Sequence, residues 1–336
     1  MTKKLPLILF FAIIFLYAQT QEYRIAFYNV ENLFDLQDNP NTNDDDFLPT
    51  GSHHWDSYKY HKKIKNIYKT LMAVKEFSTL PIIGLAEIES EQALNHLIYK
   101  TPLFKNNFSF IHHESPDERG IDAALLYDKD LFNIIETEFI NVSFPFDTTD
   151  KTRDIIYVKG HLKNCDTLNI FVNHWPSRYG GYMVTEPKRC YVASLLKQKT
   201  DSLLNNTASA KIIIMGDFND EPESESIKIL TSSRSNNLIN LMGKDYMKGS
   251  IGTMKYRNNW FRFDQLLISK NLLPSQKANS IFVKGAKATI CNFDFLMEED
   301  KKYLGQKPFR TYRGPAFHGG FSDHLPIYLD ISCKKN

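Results

Sequence analysis

The 336-residue sequence predicts an α/β protein in which two β-sheets pack face to face and helices flank them. Three observations carry this expectation. Strand-like apolar runs outnumber amphipathic helical patterns. Some successive strands lie at hairpin spacing and others at the spacing of a helical crossover, so both sheets are expected to be mixed. The composition, 42% hydrophobic and 24% charged, is that of a soluble protein long enough to bury a large core. No Gly/Ser or Pro-rich linker and no internal repeat divides the chain, so residues 21–336 are expected to form a single domain.

The chain opens on Lys3-Lys4, an apolar run from Leu5 to Tyr17, and the small polar stretch Ala18-Gln19-Thr20-Gln21. A positive start, a short apolar run and a small-residue cleavage zone read as a signal peptide over residues 1–20. The run is short for a membrane-spanning helix. The expected location is therefore secreted or periplasmic, with no transmembrane segment left after cleavage. Residues 1–20 carry two Lys and no acid, so their removal takes the formal charge from +2 to zero. A neutral mature chain is not a bulk electrostatic nucleic-acid binder, although local phosphate binding stays open. Cys165, Cys190, Cys291 and Cys333 make no CxxC pair and no zinc pattern, and export allows disulfides in any of three pairings.

Tyr23–Tyr28 reads as a strand ending in Asn29-Val30-Glu31-Asn32. Residues 37–51 hold Asp44-Asp45-Asp46 but lack the Gly and Glu of an EF-hand loop, so they read as a solvated loop. From Ser57 a helix is expected, with Ile64, Ile67, Tyr68, Leu71, Met72 and Val74 on one face and lysines opposite. Thr79–Leu85 is a buried strand delivering Glu87 and Glu89, and a short helix follows from about Glu91. Ser109–His112 and Ala123–Tyr127 are neighbouring strands joined by the turn at Asp117–Gly120, and Phe132–Ile140 is another. Asp154–Gly160 and Leu168–Val172 pair around a turn at Asn164; the second ends in Asn173-His174-Trp175-Pro176-Ser177-Arg178. A helix from Glu186 to about Leu204 leads to Ile212-Ile213-Ile214-Met215-Gly216-Asp217-Phe218-Asn219-Asp220, a buried strand ending in polar groups. Phe261–Ile268 is a strand with Asp264 in its middle. Ser322-Asp323-His324 leads into a last strand, Leu325–Ile331.

Several separate strands thus end in acid, amide or imidazole groups. One such end is an ordinary turn or helix cap. The whole set, Asn29/Glu31, Glu87, His174, Asp217/Asn219 and Asp323/His324, is harder to explain that way. Carboxylates with an amide and no Cys ligand suit a hard cation, Mg²⁺ or Mn²⁺, with Ca²⁺ as a further candidate. Two imidazoles beside them suit proton transfer or charge stabilisation, the requirements of phosphate-ester hydrolysis.

With these residues in this order, the chain resembles the endonuclease/exonuclease/phosphatase superfamily, the DNase I-like nucleases, AP endonucleases, sphingomyelinases and inositol-phosphate phosphatases. The motifs run from Asn29-Val30-Glu31 through Glu87, His174, Gly216-Asp217-Phe218-Asn219 and Asp264 to Ser322-Asp323-His324. The resemblance implies a DNase I-like four-layer α/β sandwich with the site at one edge. It implies Glu87 as the central metal ligand, with Glu31 and Asp323 at or next to the metal. It implies Asn29 beside them, Asp217 and Asn219 positioning water and phosphate, His324 paired with Asp264, and His174 as a second imidazole. Whether an Asp or a His is the general base stays open. Arg119 and Arg153 are candidate phosphate contacts, as is Arg178 beside the His174 motif, and Asp122 stands in a family-like stretch. Trp175, Tyr312 and Phe317 could stack on a substrate or pack the loops.

The leading functional expectation is a secreted, metal-dependent phosphodiesterase acting as a DNA or RNA endonuclease. The alternatives on the same site are a phosphomonoesterase or a sphingomyelinase-like enzyme. A catalytically inactive binding module is the alternative from another class, and the intact Glu87, Asp217, Asn219 and His324 argue against it. Asp217-Phe218-Asn219-Asp220 lacks the Tyr-Arg, and Phe263-Asp264-Gln265 the Trp-Cys-Asp-Arg pattern, of the inositol-phosphatase branch. Trp260-Phe261 reads as the start of the Asp264 strand rather than a membrane hairpin. The expected partner is the nucleic acid or other phosphate-ester substrate alone, with the protein a monomer.

Overall fold

A computed structural model of the chain describes residues 20–232, 238–244, 251–274 and 281–334. The expected leader lies outside the described residues apart from Thr20. No described helix is long and apolar enough to cross a membrane.

Two six-stranded sheets form the centre. The first has the order Ile281–Ile290, Ile327–Lys334, β1 (Thr20–Leu33), β2 (Ile82–Ile88), β4 (Asp122–Asp128), β3 (Phe108–His112). The second has the order β5 (Phe132–Ile140), β6 (Ile155–Leu162), β7 (Thr167–His174), β8 (Ile212–Asp217), Asp264–Ser269, β9 (Leu238–Asn240). Helices α1 (Ser57–Lys75) and α2 (Glu91–Tyr99) cover the first sheet; α3 (Tyr182–Asn206) and α4 (Glu225–Thr231) cover the second. Four layers result.

The apolar runs explain the layering. Along β8, Ile213 and Met215 enter the core between the sheets, while Ile212 and Ile214 pack under α3. A strand buried on both faces reads as an unbroken apolar run because each residue of the period-2 pattern meets a layer. β1 divides likewise: Ile25 and Phe27 point between the sheets, Ala26 and Tyr28 towards α1.

Each sheet contains one parallel pair, β1 with β2 and β7 with β8. Parallel neighbours need a crossover, supplied by α1 in one and α3 in the other. Both pairs therefore end at the same edge of the sandwich, and this places the site.

Some boundaries differ from the sequence expectation. β1, β2 and β7 continue through Asn29, Glu87 and His174, because the polar ends remain hydrogen-bonded in the ladders. Asp264 is the first residue of its strand. Trp260-Phe261 instead forms a short hairpin, Asn259–Phe261 against Met254–Tyr256, with both rings half-buried. The Ile281–Ile290 strand carries Gly285 and a register break and shows no clean alternation, so the sequence pattern concealed it. Lys63 is not on the solvent face of α1. It is buried and donates to Thr311 Oγ1 at 2.6 Å and to the Phe321 carbonyl at 2.7 Å.

Of the three pairings, the disulfide is Cys165–Cys333, and Cys190 and Cys291 are free thiols. Cys165 lies in the β6–β7 turn and Cys333 opposite Gln21 at the start of β1. The bond thus staples the two sheets at the end remote from the site. With the cysteines 168 positions apart in the chain, replacing both by Ser should lower the unfolding free energy by about 5 kcal/mol through the freer unfolded chain. Urea unfolding of the variant checks this, and an unchanged midpoint would refute it.

Candidate active site

The site forms where β1, β2, β7 and β8 end. Their last residues need unusual backbone to turn several side chains into one volume. Glu31, Asn32, Glu87 and Asn219 all have positive φ, at 56°, 51°, 66° and 50°. The β1–β2 register breaks between Asn29 and Leu33, and the β2–β4 register between Ala86 and Ile88. Left-handed backbone on non-glycine residues costs on the order of 1 kcal/mol each and gathers at functional sites, where bulges re-aim side chains. At Gly216 the demand is close approach: a Cβ there would lie 2.3 Å from the Asn173 carbonyl oxygen on β7.

Asn29 is the hub. Its Nδ2 donates to Glu87 Oε1 at 3.2 Å and to Asp217 Oδ2 at 3.0 Å, tying β1 to β2 and to the other sheet. Its Oδ1 accepts from Glu31 N at 3.0 Å. Glu87 Oε2 accepts from Asn32 N at 2.8 Å. His174 Nε2 stands 3.9 Å from both Glu87 Oε1 and Asp217 Oδ2. On the other side, His324 Nε2 lies 3.8 Å from Asp217 Oδ2, and its Nδ1 meets Asp264 Oδ2 at 2.7 Å. Asp217 Oδ1 accepts from Asn219 N at 2.9 Å, and Asn219 Nδ2 donates to the Trp175 carbonyl at 3.0 Å.

The two imidazoles are in opposite states. Burial holds His174 well below the usual histidine range, aided by Arg153 and Arg119, so it is neutral at pH 7. Burial acts the same way on His324, but the carboxylates of Asp264 and Asp217 outweigh it and hold the ring cationic. Asp217 is pushed up to about 7 by burial, with Asp264 adding to the rise against the opposing pull of His324.

Asp217, Asp264 and His324 bring ligand-capable atoms within 4.8 Å of one another, so they could hold a metal ion. His324 Nδ1 is already committed to Asp264, however. Among the described residues the oxygens of Glu87 contact only neutral donors and an imidazole, so its carboxylate is the one left to meet a hard cation.

The structure gathers Asn29, Glu87, His174, Asp217, Asn219, Asp264 and His324 in one cluster. Glu31 and Asp323 lie at its rim, but both are occupied by a residue the sequence reading missed. Arg310 donates through Nε to Glu31 Oε1 at 3.0 Å, and its Nη2 lies 3.0 Å from Glu31 Oε1 and from Asp323 Oδ2. Arg310 carries no motif of its own; only the fold brings it to β1. Arg153 is buried, its Nε 3.1 Å from Asp117 Oδ2 and 3.2 Å from the Ile121 carbonyl, and its Nη2 has no partner among the described residues. Arg119 is half exposed beside the same Asp117. Arg178 spends its donors on the loop after β8, meeting the Asn219 carbonyl and Asp220 Oδ1 at 2.8 Å each, so here it braces the Asn219 turn. Asp122 is tied to Ser115. Trp175 is buried edge-on to Phe218, and Tyr312 packs with Phe47, His53, Trp55 and Phe317, so these rings build the loops.

Two mixed sheets between helical layers, with acids, amides and imidazoles gathered at their shared edge, define a hydrolytic phosphoesterase of DNase I-like fold. Residues 24–333 match the profile described as the endonuclease/exonuclease/phosphatase family, and the chain belongs to that family. Among solved structures it is similar to a mannosyl-6-phosphatase of Bacteroides thetaiotaomicron (18% identity, TM-score 0.57, covering 92% of this chain and 99% of that one). It is similar to the catalytic domain of human Nocturnin with a bound sulfate anion (16%, 0.56, 94% of each chain). D. rerio TDP2 complexed with a single-strand DNA product is similar too (13%, 0.56, 93% of this chain and 98% of that one). At these identities the likeness shows the fold. No curated protein matches the chain.

Proposed function

We propose that the chain is an exported phosphodiesterase that cuts nucleic acid with the help of a divalent cation, Mg²⁺ or Mn²⁺. The observation that carries the substrate class is a groove of about 640 Å³ that includes Arg153 and the segment just after His174. It is lined by Arg119, Lys151, Arg153 and Lys188 together with the acids Asp117, Glu118 and Asp150, and bordered by Pro176, Ser177 and Tyr179. A diester within a polymer has further phosphates on either side of the one attacked, and the guanidinium and ammonium groups of this groove would give them partners. Tyr179, 93% exposed, offers a ring on which a base can stack. The similar TDP2 was solved with single-strand DNA, which accords with this substrate class. The Cys165–Cys333 disulfide supports export, since such bonds persist in oxidising compartments.

Glu87, oriented by Asn29 Nδ2, would hold the cation, which would supply charge neutralisation and orientation at the phosphate. Asp217 lies near its own midpoint at neutral pH, fit to take a proton from the attacking water. Cationic His324, oriented by Asp264, stabilises the phosphoryl charge. Neutral His174, 3.9 Å from Glu87 and Asp217, would serve the leaving oxygen, and Asn219 keeps Asp217 in line. Buried Arg153, with its partnerless Nη2, would meet a phosphoryl oxygen.

The test is the purified mature protein with Mg²⁺ or Mn²⁺ on plasmid DNA, RNA, a phosphomonoester and a phosphocholine lipid. Cleavage of DNA or RNA is expected. Turnover of the monoester alone would establish a phosphatase instead, turnover of the lipid alone a sphingomyelinase-like enzyme, and no turnover on any of them an inactive module.

A further inference from the structure

We infer that Arg310 takes the place of a second divalent cation between Glu31 and Asp323, so that the protein binds one such ion, at Glu87. The inference rests on the metal-dependent reading above and concerns how many ions that site takes.

The geometry is that of a completed ion cluster. Glu31 Oε1 receives Arg310 Nε and Nη2, each at 3.0 Å, in a forked contact. Glu31 Oε2 accepts from Thr311 N at 2.6 Å, with Lys63 Nζ 3.9 Å away. Asp323 Oδ2 receives the same Nη2 at 3.0 Å. Two carboxylates thus face two basic groups. A hard divalent ion needs carboxylate oxygens at roughly 2.0–2.6 Å, which the guanidinium would have to vacate. It would also add two charges beside Lys63, which is buried and cannot swing into water.

The cluster is held in place. Lys63 binds Thr311 Oγ1 and the Phe321 carbonyl, and Phe321 N donates to the Phe309 carbonyl at 2.6 Å, so the Arg310 segment is pinned on both sides to α1 and to the Ser322 loop. Ser322 Oγ in turn donates to the Asn29 carbonyl at 2.8 Å. Glu87 is the contrast. Among the described residues its oxygens accept only from Asn29 Nδ2 and Asn32 N, and no Lys or Arg nitrogen comes within ion-pair distance. Arg310 is permanently charged and its guanidinium is weakly hydrated, so it supplies the rim with a cation independent of metal supply.

The experiment counts ions. Mn²⁺ is titrated into the full mature chain by calorimetry, with free Mn²⁺ followed by electron paramagnetic resonance. The wild type should bind one Mn²⁺, Arg310→Met should gain a second, and Arg310→Met with Glu31→Gln should lose that second ion again. Glu31→Gln alone should keep the wild-type count. No gain in Arg310→Met, or loss of an ion in Glu31→Gln alone, would overturn the inference. If Arg310→Met unfolds by circular dichroism, the Glu31→Gln arm, made with Arg310 in place, decides by itself. A wild type that binds no Mn²⁺ beside an Arg310→Met that binds one would sink the metal-dependent function and still support the place assigned to Arg310.

Discussion

Replacing His324 with Ala lowers turnover by a factor on the order of 10² to 10⁴, the loss that follows removal of a positioned acid, base or charge-stabilising group. That factor corresponds to about 3–5 kcal/mol of transition-state stabilisation. The size follows from what His324 touches. Its Nδ1 is fixed on Asp264 at 2.7 Å and its Nε2 lies 3.8 Å from Asp217, so one ring both presents positive charge and sets the state of the adjacent acid. Without it, two buried carboxylates lose their shared cation. Asp217 then rises further and is less often ionised at pH 7. The same loss threatens stability, because a buried charge without its partner is costly. His324→Gln is therefore the companion variant, since it keeps a side-chain amide near Asp264. Both are measured by steady-state turnover, with circular dichroism to confirm the fold. Wild-type turnover in a folded His324→Ala would remove this residue from the chemistry.

Glu87→Gln should raise the Mg²⁺ concentration needed for half-maximal activity at least about 10-fold, with activity recovered at high Mg²⁺. Both Glu87 oxygens accept from fixed donors, Asn29 Nδ2 and Asn32 N. A Gln in either orientation sets its amide against one of them, so it removes the charge that binds the ion and also loosens the hub at Asn29. Asn29 also holds Asp217 at 3.0 Å, so part of the defect should persist at saturating metal. An unchanged metal requirement would show that Glu87 is not a ligand.

Much of the site was legible because each motif is local. A buried strand followed by Gly-Asp-Phe-Asn, or Ser-Asp-His before a last strand, places its side chains by chain geometry alone, and their order matches a family pattern. The Arg178 placement shows the limit of this reading. An arginine three residues beyond a motif Trp looks free to meet phosphate, yet the fold sets it against Asp220 and the Asn219 carbonyl. Lys63 shows the limit for helices, since its place among the lysines of α1 concealed a buried ammonium.

By itself, the sequence determined the two-sheet α/β architecture, the parallel pairs with helical crossovers, and the acids, amides and imidazoles that meet at their ends. These follow from periodicity and from short motifs, which act within a few residues. Only the tertiary structure decided that Cys165 pairs with Cys333, that His174 is neutral while His324 is cationic, and that Glu31 and Asp323 hold Arg310. Those outcomes depend on groups 168 and 279 residues apart in the chain and on the desolvation they share once packed. No local pattern in the chain encodes that proximity; the packing of the two sheets creates it.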